Sequence, residues 1–143
     1  MPDKETLERA ARDKAEGKAP STQAGEFVHE EIEHIREGKH GARSTKQAIA
    51  IGLSKARRAG VELPPPKTGS KSTRKQAARD LKKSRSTKKS AKRSRATSKA
   101  LKREGHSAGS TRALSRQAHK AAAKRSAAAR SRSAKKAAAT RKK

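Results

Sequence analysis

Large apolar residues are concentrated in the first half of the chain, where they recur at helical spacing. Across residues 23–37, Ala24, Phe27, Val28, Ile32 and Ile35 form one stripe, while Glu26, Glu30, Glu33 and Glu37 take the remaining surface. Pro20-Ser21-Thr22 precedes this predicted helix and Gly38 ends it. A second stripe of Ala48, Ile49, Gly52, Leu53 and Ala56 follows Ser44-Thr45-Lys46-Gln47, a capping box with Ser44 at the cap and Gln47 reaching back. Small Gly52 permits close approach of another helix. Gly60 suits the residue just past the helix end, with Val61 as its apolar contact. Ile51 lies off the stripe and is a candidate dimer seam.

An earlier helix is predicted over residues 4–16, capped by Asp3 and ended by Gly17, but its apolar face is only Leu7 with Ala10, Ala11 and Ala15. The predicted core is Leu7, Phe27, Val28, Ile32, Ile35, Ile49, Ile51, Leu53, Val61 and Leu63. So thin a core implies a weakly stable helical module over residues 1–63, open to completion by a weak homodimer or a protein partner on its helices.

The pattern then stops. Leu63-Pro64-Pro65-Pro66-Lys67-Thr68-Gly69-Ser70 reads as a linker over residues 64–70, stiffened by proline and loosened again by glycine and serine. Over residues 71–143 the large apolar residues shrink to Leu81, Leu101 and Leu114 among Lys, Arg, Ala and Ser. A chain of this kind buries too little surface to offset its conformational entropy. The expected fold is mostly α: about three short helices, then an intrinsically disordered basic low-complexity tail that is helical in part. Residues 73–83 and 112–130, above all 121–130, are expected to become helical when their charge is neutralised.

Charge sharpens this division. The chain carries 40 Lys and Arg against 13 Asp and Glu, a formal net charge of +27. Residues 1–66 hold 12 basic and 11 acidic side chains; residues 67–143 hold 28 basic ones and two acidic ones, Asp80 and Glu104. That surplus exceeds what solubility needs and points to a polyanion, on which neutralised phosphates release counterions and affinity falls with salt. The candidate nucleic-acid-binding residues are Lys71, Arg74, Lys75, Lys82, Lys83, Arg85, Lys88, Lys89, Lys92, Arg93, Arg95, Lys102, Arg103, Lys124, Arg125, Lys135 and Lys136. Phe27 is the single aromatic residue, so no stacking platform interleaves these cations and sequence-specific readout is not expected. The expected function is non-specific nucleic-acid binding, DNA ahead of RNA, in a nucleoid-associated cytoplasmic protein. The alternatives are an RNA- or ribosome-associated binder, and an adaptor whose N-terminal module recruits a protein.

Other chemistries are weakly supported. With no cysteine, disulfides and thiolate sites are excluded. The run His29-Glu30-Glu31-Ile32-Glu33-His34 places its histidines at i and i+5, about 140° apart on a helix, where a zincin needs i and i+4. Glu26…His29 and Glu31…His34 have E-x-x-H spacing, yet a solvated acidic helix face, able to pair with the tail, is the expected state, with no metal and no cofactor. A helix-turn-helix reading would set Lys46, Lys55, Arg57 and Arg58 on phosphates, but the turn over residues 38–43 is long and the preceding helix acidic. No phosphate loop, nucleophile triad or pair of buried carboxylates can be assembled, so no enzymatic activity is expected. The first twenty residues lack the apolar run of a secretory signal, and no stretch approaches the length of a membrane span, so no integral membrane association is expected.

The stretch Lys46-Gln47-Ala48-Ile49-Ala50-Ile51-Gly52-Leu53-Ser54-Lys55-Ala56-Arg57-Arg58-Ala59-Gly60 resembles a family of small basic bacterial proteins that share a KQAIAI-x-LS-x-AR-x-AG helix and carry a domain of unknown function. Ser21-Thr22-Gln23-Ala24-Gly25-Glu26-Phe27-Val28 resembles its longer members, and the likeness spans about residues 20–66. It implies a bacterial source and a helical domain, with no assigned activity. The tail is similar to histone-H1-like bacterial proteins in composition only.

Overall fold

Gly52 sets the spacing of the two central helices. In the computed structural model, which describes residues 1–84 and 90–142, α2 (Pro20–Arg36) and α3 (Thr45–Arg58) cross at this glycine. A methyl group there would lie 2.7 Å from the Val28 Cα and 3.0 Å from the Phe27 carbonyl oxygen. Only hydrogen fits, and the helices touch through their backbones. Phe27, Ala24 and Ala56 fill one side of the crossing together with Ala10 and Val61, and partly buried Leu53 and Leu63 close over them. Ile32 and Ile35 are buried as well.

Local chemistry explains the ends of these helices. Pro20 opens α2 at its first turn, where no N–H partner is lost. The Ser44 hydroxyl accepts the Gln47 N–H at 3.2 Å, and the Gln47 side chain reaches back to the Arg43 N–H at 2.7 Å. α1 (Lys4–Ala15) follows Asp3, whose carboxylate makes no cap and turns instead to His34. Leu7, expected in the core, is 41% exposed; α1 instead buries the smaller Thr6 and Ala10 together with Asp13.

The expectation of a disordered tail is overturned. The described residues beyond the prolines form α4 (Lys71–Lys83), α5 (Ala91–Leu101), α6 (Thr111–Ala123) and α7 (Ala127–Arg141). Alanine, lysine and arginine carry high helix propensity, and serine caps supply what composition alone does not reveal. Ser70, Ser90 and Ser126 each accept the N–H three residues on, from Thr73, Arg93 and Ala129. The run 112–130 is therefore two helices, divided ahead of the Ser126 cap.

The early part of the basic half is also docked. α4 packs on α3 through Ala77 and Asp80, both buried. Past α5 the chain returns to the module: the Gly41 N–H donates to the Leu101 carbonyl at 2.9 Å and the Ala42 N–H to that of Gly105 at 3.0 Å. A methyl group on Gly41 would overlap the Glu104 carbonyl, so this pairing also needs glycine. A 3₁₀ turn, Ser107–Gly109, then settles against α2 and α3, where the Thr45 hydroxyl donates to the Ala108 carbonyl at 2.8 Å and Arg36 Nε to that of Gly109 at 2.9 Å.

Two compact units result, Met1–Ser110 and Thr111–Lys143. In the second, Ala113, Leu114, Gln117 and Ala129 are partly buried and the other described residues are exposed. The Arg125 guanidinium ties the α6–α7 connection to the first turns of α7, donating to the Ala129 carbonyl and the Ser133 hydroxyl. Among the described residues no helix is long and apolar enough to cross a membrane.

Candidate functional site

The basic side chains are arranged on helix faces. On α4, Lys71, Arg74, Lys75, Lys82 and Lys83 are exposed, opposite the face that carries Ala77 and Asp80 onto α3. Every residue from Ala91 to Ala100 in α5 is exposed, including Lys92 and Arg93. Arg95, Lys99, Lys102 and Arg103 stand at i, i+4, i+7 and i+8, and with Ser98 they line one open groove of ≈490 Å³. Lys124 and Arg125 lie in the α6–α7 connection and Lys135 and Lys136 on α7, all exposed. Arg85, Lys88 and Lys89 fall outside the described residues. Among the described residues, no lysine or arginine from Lys67 onward forms an ion pair with a carboxylate.

The cations of α3 have different tasks. Arg58 Nε donates to Asp80 Oδ1 at 3.0 Å, and this buried carboxylate also accepts Ser54 Oγ at 2.6 Å and Gln76 Nε2 at 3.2 Å. Buried Arg57 donates to the Leu63 and Pro64 carbonyls, which holds the start of the proline segment against α3; burial lowers its pKa, and the Asp80 charge opposes that shift. Lys55 turns inward. Of these four, Lys46 and Arg58 are exposed, and Arg58 is held by Asp80. Asp80 was legible only as an isolated acid in a run of cations.

Lys55 leads to a second cluster, where a solvated acidic face was expected. Glu30 and Glu31 are instead 4% and 0% exposed, so two adjacent carboxylates are buried. Lys55 Nζ lies 2.7 Å from Glu31 Oε2 and 3.3 Å from Glu30 Oε1. Lys55 thus pairs with both carboxylates, donating to Glu30 Oε1, while Glu31 Oε1 is buried without a hydrogen bond. Glu30 accepts the Asp3 N–H at Oε2, 3.0 Å away. His40 Nε2 is 3.3 Å from Glu31 Oε1, and His34 Nδ1 is 4.0 Å from Glu30 Oε1. The two imidazoles meet edge to face with ring centres 6.1 Å apart. A cleft of ≈210 Å³ opens beside His34, with Asp3, Glu5, Glu30, Glu33 and Glu37 in its wall. The hydrogen bond from His34 holds the Asp3 carboxyl below the ordinary range, and pairing with Lys39 does the same for Glu37. Sequence spacing missed this cluster because His40 and Lys55 reach it from outside α2.

With that geometry established, residues 14–68 match a family described as a family of unknown function, DUF6496. The matched segment holds all of α2 and α3, and with them Glu30, Glu31, His34, His40 and Lys55. No curated protein and no solved structure matches the chain.

Proposed function

We propose that the protein binds nucleic acid, duplex DNA first, through phosphate contacts made by the basic faces of α4 and α5 and by the cations of α6 and α7. The observation that carries this reading is the run of exposed cations along α5 and the turn after it, where Arg95, Lys99, Lys102 and Arg103 line one open face and none forms an ion pair with a carboxylate among the described residues. Four like charges set close together on α5 and the turn that follows it repel each other, and a phosphate backbone laid along them removes that cost while releasing counterions. Guanidinium groups at two of the four positions suit bidentate contact with phosphate oxygens. The basic half contains no aromatic residue to stack on bases, so the binding is by charge and shape.

Fluorescence anisotropy of a labelled duplex against the full-length chain, repeated across sodium chloride concentrations, tests the reading. Affinity should fall linearly on log–log axes with a slope of roughly −0.9 for each phosphate neutralised. Replacing Arg95, Lys99, Lys102 and Arg103 with alanine should flatten that slope by about 3 to 4. No binding at low salt, or an unchanged slope in the variant, defeats the proposal. Tighter binding to structured RNA than to duplex moves the assignment to RNA.

A further inference from the structure

We infer that Glu31, His34 and His40 form a binding site for a divalent transition-metal ion of the zinc class. One ligand atom from each of these side chains lies within 4.8 Å of those of the other two. His40 Nδ1 is 3.1 Å from the Gly41 carbonyl, which can only accept, so Nδ1 carries a proton and Nε2 is the ring atom turned to Glu31 Oε1. His34 Nε2 is likewise committed to the Asp3 carboxylate at 3.0 Å, which leaves Nδ1 with the lone pair. Both imidazoles are thus oriented through an outer hydrogen bond, one to a carbonyl and one to a carboxylate, as metal-bound histidines generally are.

The spacing between Glu31 and His40 favours a metal over a proton. Glu31 Oε1 and His40 Nε2 face each other at 3.3 Å, and the buried Oε1 receives no hydrogen bond while Lys55 pairs with Oε2. A shared proton would draw such a pair to about 2.7–2.9 Å. Two ligands bonded to one tetrahedral zinc ion at about 2.0–2.1 Å stand roughly 3.3–3.4 Å apart. Formal charge agrees: the buried carboxylates Glu30 and Glu31 share the one ammonium of Lys55, and a cation at Oε1 of Glu31 offsets the charge that remains. Lys55 sits on Oε2 and leaves Oε1 to the metal. Two imidazole nitrogens with one carboxylate select zinc-like ions over magnesium or calcium, which prefer oxygen throughout. Once bound, the ion would clamp α2 to the segment leading into Gly41, where the returning chain docks.

Calorimetric titration of Zn²⁺ into the full-length chain should show one saturable site per molecule. His34→Gln and His40→Gln should each weaken it by more than the about 10–100-fold that loss of an outer partner costs, and Asp3→Asn by an amount within that range. His119→Gln, on α6, should leave it unchanged. Circular dichroism checks that each variant keeps its helices. A readout on the unaltered chain needs no variant: of the five histidines, two should show shifted ring NMR signals at one equivalent of Zn²⁺. Absence of a saturable site, unchanged affinity in folded His40→Gln, or shifts confined to other histidines overturns the inference. None of these outcomes depends on whether the basic helices bind nucleic acid.

Discussion

Ser54 and Asp80 are joined by a 2.6 Å hydrogen bond between α3 and α4, and the carboxylate at its centre is only 1% exposed. Ser54, Arg58 and Gln76 all donate to it. One acid in a run of cations thereby fixes a basic helix to the module. Asp80→Ala should cost about 1.5–3 kcal/mol, the range for a charged hydrogen-bonded group, and not the larger penalty of a fully buried ion pair, because Arg58 remains half-exposed and can turn to water. Thermal unfolding gives the magnitude. Hydrogen exchange should show α4 losing protection ahead of α2 and α3.

Two glycines make a paired test of helix contact. Gly52→Ala would force α2 and α3 apart, since the new methyl meets backbone at 2.7 Å, and overpacking of this kind costs about 1–3 kcal/mol. Gly25→Ala should do the opposite. It lies within α2 with nothing within 4 Å of the added carbon, so the higher helix propensity of alanine should stabilise the fold by about 1 kcal/mol. Denaturation midpoints of opposite sign support the packing described; equal shifts contradict it.

Docking of the returning segment rests on Gly41 and Thr45. Gly41→Ala collides with the Glu104 carbonyl, and Thr45→Val leaves the Ala108 carbonyl without its donor. Both should release the chain after α5 and speed tryptic cleavage at Lys102 and Arg103 while α2 and α3 stay protected. Limited proteolysis followed by mass spectrometry reads this directly. Unchanged cleavage at those two sites would show that the contacts do not hold the segment.

The serine caps should carry the exposed helices. Ser90→Ala and Ser126→Ala each remove a hydroxyl that accepts a first-turn N–H, at a cost of about 1 kcal/mol. Because α5 and α7 have no buried residue, that loss has little packing to absorb it. Helical ellipticity should drop measurably in dilute buffer and recover when a polyanion neutralises the neighbouring lysines and arginines.

Sequence pattern located the central helices because Phe27, Ile32, Ile35, Ala48 and Ala56 repeat at the helical period and Ser44 marks a start. It does not reveal the helices of the basic half, because low hydrophobicity and high charge mask the serine caps that start them. Ser70, Ser90 and Ser126 look like any other serine among many, and only their place three residues ahead of a bonded N–H sets them apart. Leu7 was misplaced because α1 packs through Thr6 and Ala10, which hydrophobicity ranks below leucine. The buried state of Glu30 and Glu31 was hidden for another reason. It depends on Lys55 and His40, contributed by α3 and the α2–α3 connection, and no periodicity within α2 reports on them.

Asp80, on α4, and Leu101, at the end of α5, are each fastened to the helical body, so the chain is tied at these two points like a strap. Residues fixed in α4 and α5 have already given up much of their freedom during folding, so less is lost when a ligand lies along those helices. The strap also has a mechanical corollary. A single cut within the strap would leave both pieces gripping the same helical body, and the nicked protein would migrate as one particle until denatured.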